Sequence, residues 1–137
     1  YMGFRLERLG IRCTYSDIPE YCISHINLAN EDEVVVAISK SGISKRVIDS
    51  MTIAKGKNMK VIAITASLKS EVAALADYVL NSSIRQESFD FYNGYSYFNE
   101  YVIVDTVLNF MVNQELLEAE TPKTASEELV PKAAGRE

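Results

Sequence analysis

Ser39, Ser41, Gly42 and Ser44, four residues within six, carry the chemistry most easily read from this chain. Three hydroxyls offer donors and acceptors around one short loop. The glycine takes backbone angles closed to other residues and lets a ligand approach the main chain. A helix beginning just after such a loop adds its first N–H groups, which lack intrahelical partners and carry the positive end of the helix dipole. That set suits an anion, and phosphate is its natural guest. Each hydrogen bond to a charged group contributes about 1.5–3 kcal/mol. Three or four of them, less the cost of immobilising the ligand, support binding in the ~mM to µM range. The plainer reading of the same residues makes Ser44 a helix N-cap and Gly42 a turn residue.

The neighbouring segments place this loop. Val34-Val35-Val36-Ala37-Ile38 is apolar at every position and rich in β-branched residues. That pattern predicts a strand buried on both faces of a parallel sheet. Apolar residues at 47, 48, 51 and 54 recur at helical spacing, so a helix follows and ends near Lys57. The serines therefore sit where a strand ends and a helix begins, the place where open α/β sheets bind ligands. Asn58 can take the left-handed conformation that closes a helix. Val61 to Thr65 is a second apolar strand, at a spacing that suits a strand-helix-strand crossover. Thr65-Ala66-Ser67 again puts hydroxyls at a strand's end beside the serine loop, which makes Thr65 and Ser67 candidate ligand contacts as well as candidate loop and cap residues. Ser70 caps a helix carrying Val72, Ala73, Leu75 and Ala76, and Tyr78 to Leu80 is a third strand.

Upstream, Tyr1 to Leu9 reads as a helix closed by Gly10. Ile11 to Tyr15 is a short strand candidate. Ser16 or Asp17 caps a helix that has Pro19 in its first turn and runs to about Leu28. Asn30-Glu31-Asp32 is a polar link. Downstream, residues 81–95 form a polar and aromatic connection. Residues 96–118 are the longest helix pattern, apolar on most sides, which assigns part of its burial to a second subunit. Asp105 inside it is read as a residue that caps or pairs locally, with a catalytic role as the lesser alternative. Beyond Leu117 large apolar residues almost vanish, so residues 119–137 read as a flexible tail.

At 137 residues the chain holds one domain or part of one. Its 47% hydrophobic content is that of a globular protein. No apolar run approaches the ~20 residues that span a bilayer, and no signal pattern opens the chain. A net charge of −5 argues against direct nucleic-acid binding. Two cysteines, Cys13 and Cys22, fit a reducing compartment, and we read the protein as cytoplasmic. Metal-ligand spacing is absent, as are a nucleophile elbow and a dinucleotide fingerprint, so no metal or cofactor is implied.

The Ser-x-Ser-Gly-x-Ser loop after a Val-rich strand, the strand Lys60 to Thr65 and the segment Ala76-Asp77-Tyr78-Val79-Leu80 together resemble the sugar isomerase (SIS) domain. With a late helix like Val102-Ile103-Val104-Asp105-Thr106-Val107-Leu108, the chain is most similar to the effector domain of RpiR-type transcriptional regulators, over roughly residues 1–116. The resemblance implies a three-layer α/β sandwich of flavodoxin-like SIS type, with four or five parallel strands when complete. SIS domains usually place their first strand in the middle of the sheet. Nothing here matches that strand, so the domain, residues 1–118, is expected to be N-terminally incomplete, with a gap beside Val34–Ile38. The resemblance also implies a phosphosugar ligand on Ser39, Ser41, Gly42, Ser44, Thr65 and Ser67, with Glu87 as a contact to sugar hydroxyls. A homo-oligomer, dimer or tetramer, is implied, with DNA bound only through an N-terminal domain outside this chain. The sequence departs from the pattern at Asn58, where glycine is usual, and at Ser96-Tyr97, where Ser-Arg is usual and the arginine's charge is lost.

Two other readings compete. A sugar-phosphate isomerase or related lyase needs a base beside the carbonyl and an acid for ring opening. Glu87 or Glu100 would be the base, and His25, the one histidine, would be lent by a neighbouring subunit. No spacing in the sequence pairs them. A purely structural oligomerisation domain leaves Ser39, Ser41 and Ser44 without a role.

Overall fold

A computed structural model describes residues 1–83 and 97–120, the side chains of 115–120 excepted. Residues 84–96, which include Glu87 and the first residue of the predicted long helix, and residues 121–137 lie outside the described residues. The elements in order are α1 (Met2–Arg8), α2 (Pro19–Leu28), β1 (Val34–Ile38), α3 (Lys45–Gly56), β2 (Lys60–Thr65), α4 (Glu71–Leu75), β3 (Tyr78–Asn81) and α5 (Phe98–Glu120). The last helix passes the expected boundary at 118 by two residues.

The three strands form one parallel sheet in the order β1-β2-β3. Val34 pairs with Lys60 and Ile38 with Ile64, while Ile62 pairs with Tyr78 and Thr65 with Asn81. Side chains alternate across this sheet as strand geometry requires. Ala37, Val61 and Ala63 face a core built with Ile26 of α2, Met51 and Ala54 of α3, and Val72 of α4. Ile64, with Val36 and Leu80 beside it, faces Val104 and Leu108 of α5 and Met2 and Leu6 of α1. Helices thus cover both faces, giving three layers.

β2 is the central strand, and its interior is buried on both faces. β1 is not buried along its length as its apolar run suggests, but its place agrees with the gap expected beside Val34–Ile38. It lies at the sheet's edge, with Val34 54% and Ile38 42% exposed. An apolar run reports what a strand is suited to, while its place in the sheet order decides what covers it. The strand expected over Ile11–Tyr15 does not form. That segment turns at Gly10, whose φ is +77°, and runs back across α1, with the Ile11 amide donating to the Leu6 carbonyl at 3.0 Å. The Tyr15 ring then packs where a Cβ on Gly3 would stand.

Two polar clamps hold the end of the sheet where the strands begin. The Lys57 ammonium donates to the carbonyls of Ile26, Asn27 and Ala29 at 2.9, 2.6 and 2.7 Å, closing the C-terminus of α2. A cation there also meets the negative end of the helix dipole. Asp77 accepts from the Lys55 ammonium and from the Val61 amide, both at 2.8 Å, tying α3 and β2 to the start of β3. The Lys55 hydrogen bond, then the Val61 amide, hold the Asp77 carboxyl below the usual carboxylate range. Asn58 has φ +59°, the left-handed cap foreseen for it.

Candidate functional site

All three strands run in one direction, so their C-terminal ends bring three loops together. The loop after β1 contains Ser39 to Ser44. It begins as a continuation of the sheet, the Ser39 amide donating to the Ile64 carbonyl at 3.0 Å. It then turns, with the Gly42 amide donating to the Ser39 carbonyl at 3.1 Å. Gly42 has φ +69°, a conformation that side chains disfavour. A Cβ there would collide with the Ser70 side chain and come within 3.0 Å of Thr65 Oγ1. Glycine is therefore required twice over, by its angle and by its neighbours.

Ser44 is the N-cap residue of α3, yet its side chain makes no capping hydrogen bond. The hydroxyls of Ser39 and Ser41 likewise show no hydrogen bond to another described residue. Ser39 is 8% exposed, Ser44 half-buried and Ser41 exposed. Among the described residues these three hydroxyls, close to the first turn of α3, have no hydrogen-bond partner shown, which is the arrangement an anion needs.

Thr65 and Ser67 occupy the second loop and behave differently. Thr65 is wholly buried; its hydroxyl donates to the Lys40 carbonyl at 3.3 Å and accepts from the Ser67 amide at 3.2 Å. The Ala66 amide also donates to Lys40, at 3.0 Å. Thr65 thereby fastens the second loop to the serine loop. The Ser67 carbonyl accepts from Ser70 Oγ at 2.6 Å, and that same oxygen caps α4 by accepting from the Ala73 amide at 3.3 Å. The Val72 amide reaches back to the Gly42 carbonyl at 3.2 Å. The two loops form one hydrogen-bonded unit that holds Gly42 in place.

In the third loop the sequence pointed to Glu87, which lies outside the described residues, and not to Ser82. The Ser82 amide donates to the Thr65 carbonyl at 2.9 Å. Ser82 Oγ donates to Glu100 Oε1 at 2.6 Å, and Asn99 Nδ2 donates to the Ser82 carbonyl at 3.2 Å. Ser82 joins the first turn of α5 to the same end of the sheet. The signal in the sequence was positional: Ser82 follows a parallel strand just as Ser39 and Ser67 do. Glu100 is 3% exposed and lines a cavity of about 190 Å³ together with Ile38, Tyr97, Tyr101 and Val104. A second, more open cavity of about 300 Å³ runs along Tyr1, Tyr101, Val102, Asp105 and Thr106. Asp105 there accepts from the Tyr1 hydroxyl at 2.6 Å and from Arg5 at 2.8 Å. Those hydrogen bonds, Tyr1's first, keep its carboxyl below the usual range. They tie α5 to α1, a long-range pairing beyond the local one expected, which Asn109 Nδ2 supplies by donating to Asp105 at 3.1 Å.

His25 does not join this site within the chain. It is exposed near the C-terminus of α2, beside carbonyls that Lys57 holds. Lys57 follows the last turn of α3, and the serine loop precedes its first. Twelve helical residues separate those ends by about 18 Å.

The SIS domain family matches residues 1–111 of the chain. The chain belongs to the SIS domain family. The HTH-type transcriptional regulator RpiR of Escherichia coli K12 is 33% identical to this SIS domain over 75 residues, 55% of the chain and 25% of the regulator. The chain thus spans about a quarter of that relative's length. Among solved structures, the Vibrio vulnificus NanR protein complexed with ManNAc-6P superposes with a TM-score of 0.70 at 20% identity, covering 91% of this chain and 51% of NanR. A Bacillus subtilis protein described as a candidate phosphosugar isomerase superposes at 0.55 with 22% identity, over 64% of this chain and 27% of that protein. The last two likenesses show the fold the SIS domain shares with them.

Proposed function

We propose that this SIS domain is the phosphosugar-sensing effector domain of an RpiR-type transcriptional regulator. The observation that carries the reading is the loop after β1. Among the described residues the hydroxyls of Ser39, Ser41 and Ser44 have no hydrogen-bond partner shown, and Gly42 sits at φ +69° against Ser70 and Thr65 of the second loop. A phosphate dianion accepts from those hydroxyls and from the amides of the helix's first turn, while the sugar extends along the ends of the strands. Likeness to RpiR and to NanR with its bound sugar phosphate supports the ligand class. Ser39, Ser41, Gly42 and Ser44 make the phosphate contacts. Thr65 supports the loop, Ser67 lies at its flank, and Glu87 is the proposed sugar contact on the third loop.

As a sensor the domain acts through an assembly. Phe98, Val102 and Phe110 leave apolar surface exposed along α5, which supports a homo-oligomer packed through that helix. Ligand binding would then change how two copies sit, and with them the spacing of DNA-binding helices carried by an N-terminal domain. Among the described residues no helix is long and apolar enough to cross a membrane, and we place the protein in the cytoplasm on the strength of the regulator reading. An isomerase is the second reading. It is favoured by the buried Glu100 at the strand ends and by the fold shared with the candidate isomerase.

Thermal unfolding against a panel of sugar phosphates tests both readings. A rise in melting temperature that Ser41→Ala abolishes, without conversion of the ligand, is the expected result. Conversion of the ligand to its isomer establishes the enzyme instead, and no shift with any sugar phosphate refutes both.

A further inference from the structure

Glu100 is the one charged residue among the buried residues described, and half of its carboxylate is unaccounted for. Oε1 accepts from Ser82 Oγ at 2.6 Å, while Oε2 is buried with no hydrogen-bond partner. Arg5, on the neighbouring helix α1, is engaged with Asp105. An acidic residue in a helix's first turn is favoured by the dipole. That preference needs neither burial nor an empty oxygen, and buried polar groups are ordinarily satisfied.

The surroundings supply the missing half of the explanation. Glu100 lines the 190 Å³ cavity with Ile38, whose next residue is Ser39. Ser82, which holds Oε1, is bonded through its own amide to Thr65, and Thr65 is bonded to Lys40 of the serine loop. The cavity therefore lies at the same end of the sheet as the serine loop, with Ile38 the lining residue next to that loop in the chain. Tyr97 and Tyr101 contribute aromatic walls. An acceptor flanked by aromatic rings is the chemistry that holds a sugar, whose hydroxyls donate while its C–H faces pack on rings.

We propose that Glu100 is a sugar-recognition residue, accepting on Oε2 a hydroxyl of a phosphosugar whose phosphate rests on the Ser39–Ser44 loop. The proposal rests on the phosphosugar reading and adds to it the residue that distinguishes a hydroxylated phosphate ester from phosphate alone. Specificity of this kind arises because a ligand lacking the hydroxyl leaves a buried charge unpaired.

Glu100→Gln keeps the shape and an acceptor for Ser82 but removes the charge. Calorimetric titration of both proteins with inorganic phosphate, ribose 5-phosphate, glucose 6-phosphate and N-acetylmannosamine 6-phosphate tests the proposal. The expected result is a loss of about 10- to 100-fold in affinity for the sugar phosphate that the unaltered protein binds, the range of one charge-assisted hydrogen bond. Affinity for inorganic phosphate stays within about twofold, and the ligand-free melting temperature is unchanged or higher, since a buried unpaired charge has been removed. Ser41→Ala, by contrast, weakens both ligands. Equal affinity of Glu100→Gln and the unaltered protein for the sugar phosphate overturns the proposal and leaves the phosphosugar reading standing. Equal loss of sugar phosphate and inorganic phosphate, or a lowered ligand-free melting temperature, makes Glu100 a structural residue and also overturns it. Failure of the unaltered protein to bind any of these sugar phosphates overturns the phosphosugar reading and this proposal with it.

Discussion

Replacing Gly42 with alanine separates the two demands that the serine loop makes on that position. A residue with a Cβ at φ +69° costs about 1–2 kcal/mol. Its Cβ also meets Ser70 Oγ and Cβ, with Thr65 Oγ1 at 3.0 Å, and overpacking of this kind typically costs about 1–3 kcal/mol. The sum, about 2–5 kcal/mol, is a large fraction of a small domain's stability. Urea unfolding followed by circular dichroism reads it as a lowered midpoint. A double variant, Gly42→Ala with Ser70→Gly, removes the colliding atoms but leaves the backbone angle. Glycine retains most of an N-cap's contribution, so Ser70→Gly alone costs a few tenths of a kcal/mol from the cap, plus the hydrogen bond to the Ser67 carbonyl. The double variant therefore recovers the collision's share and stays about 1–2 kcal/mol below Ser70→Gly. Full stability in Gly42→Ala refutes the geometry drawn for the loop. No recovery in the double variant refutes the contact with Ser70.

Three further expectations concern the other end of the sheet. Lys57→Met removes a cation shared by three carbonyls, and about 1–3 kcal/mol of stability goes with it, read by urea unfolding; an unchanged midpoint means the C-terminus of α2 does not depend on the clamp. Asn58→Gly stabilises by up to about 1 kcal/mol, while Asn58→Val destabilises by at least ~1 kcal/mol, and the reverse order disproves the left-handed cap. Asp77 has a folded pKa below its unfolded one, so its contribution is fully present above about pH 4 and is lost as pH falls through the folded value. In that window the unfolded chain binds more protons, so stability rises with pH. Asp77→Asn should flatten the urea midpoint's dependence on pH below about 4, and an unaltered slope would show that the Lys55 and Val61 contacts are absent in solution.

Local pattern alone located most of the helices and strands. The apolar runs at 34–38 and 61–65, the helical spacing at 47, 48, 51 and 54, and the cap at Ser70 all concern neighbours within one element, and each formed where expected. The serine loop was legible for the same reason. A glycine among hydroxyls between a strand and a helix is a local arrangement, and the left-handed angles of Gly42 and Asn58 follow from residue type. Ile11–Tyr15 was misread because strand formation needs a partner, and no composition can supply one.

Everything that depends on which segments meet was decided by the tertiary structure. Residue types at 34–38 suit a covered strand, and it is the sheet order, with the gap the family resemblance implied beside β1, that leaves Val34 and Ile38 exposed. The packing of α2 along α3 placed His25 at the end of the sheet away from the serines. Parallel strands gathered Ser39, Thr65 and Ser82 at one end, and the return of α5 across the other face put a carboxylate beside them. The sequence by itself determined most of the elements and the turn of the serine loop, because backbone propensity and side-chain period act over a few residues. The partners of Thr65, Lys57 and Glu100 lie tens of residues away along the chain, and contacts of that range exist only once the sheet has brought its loops together.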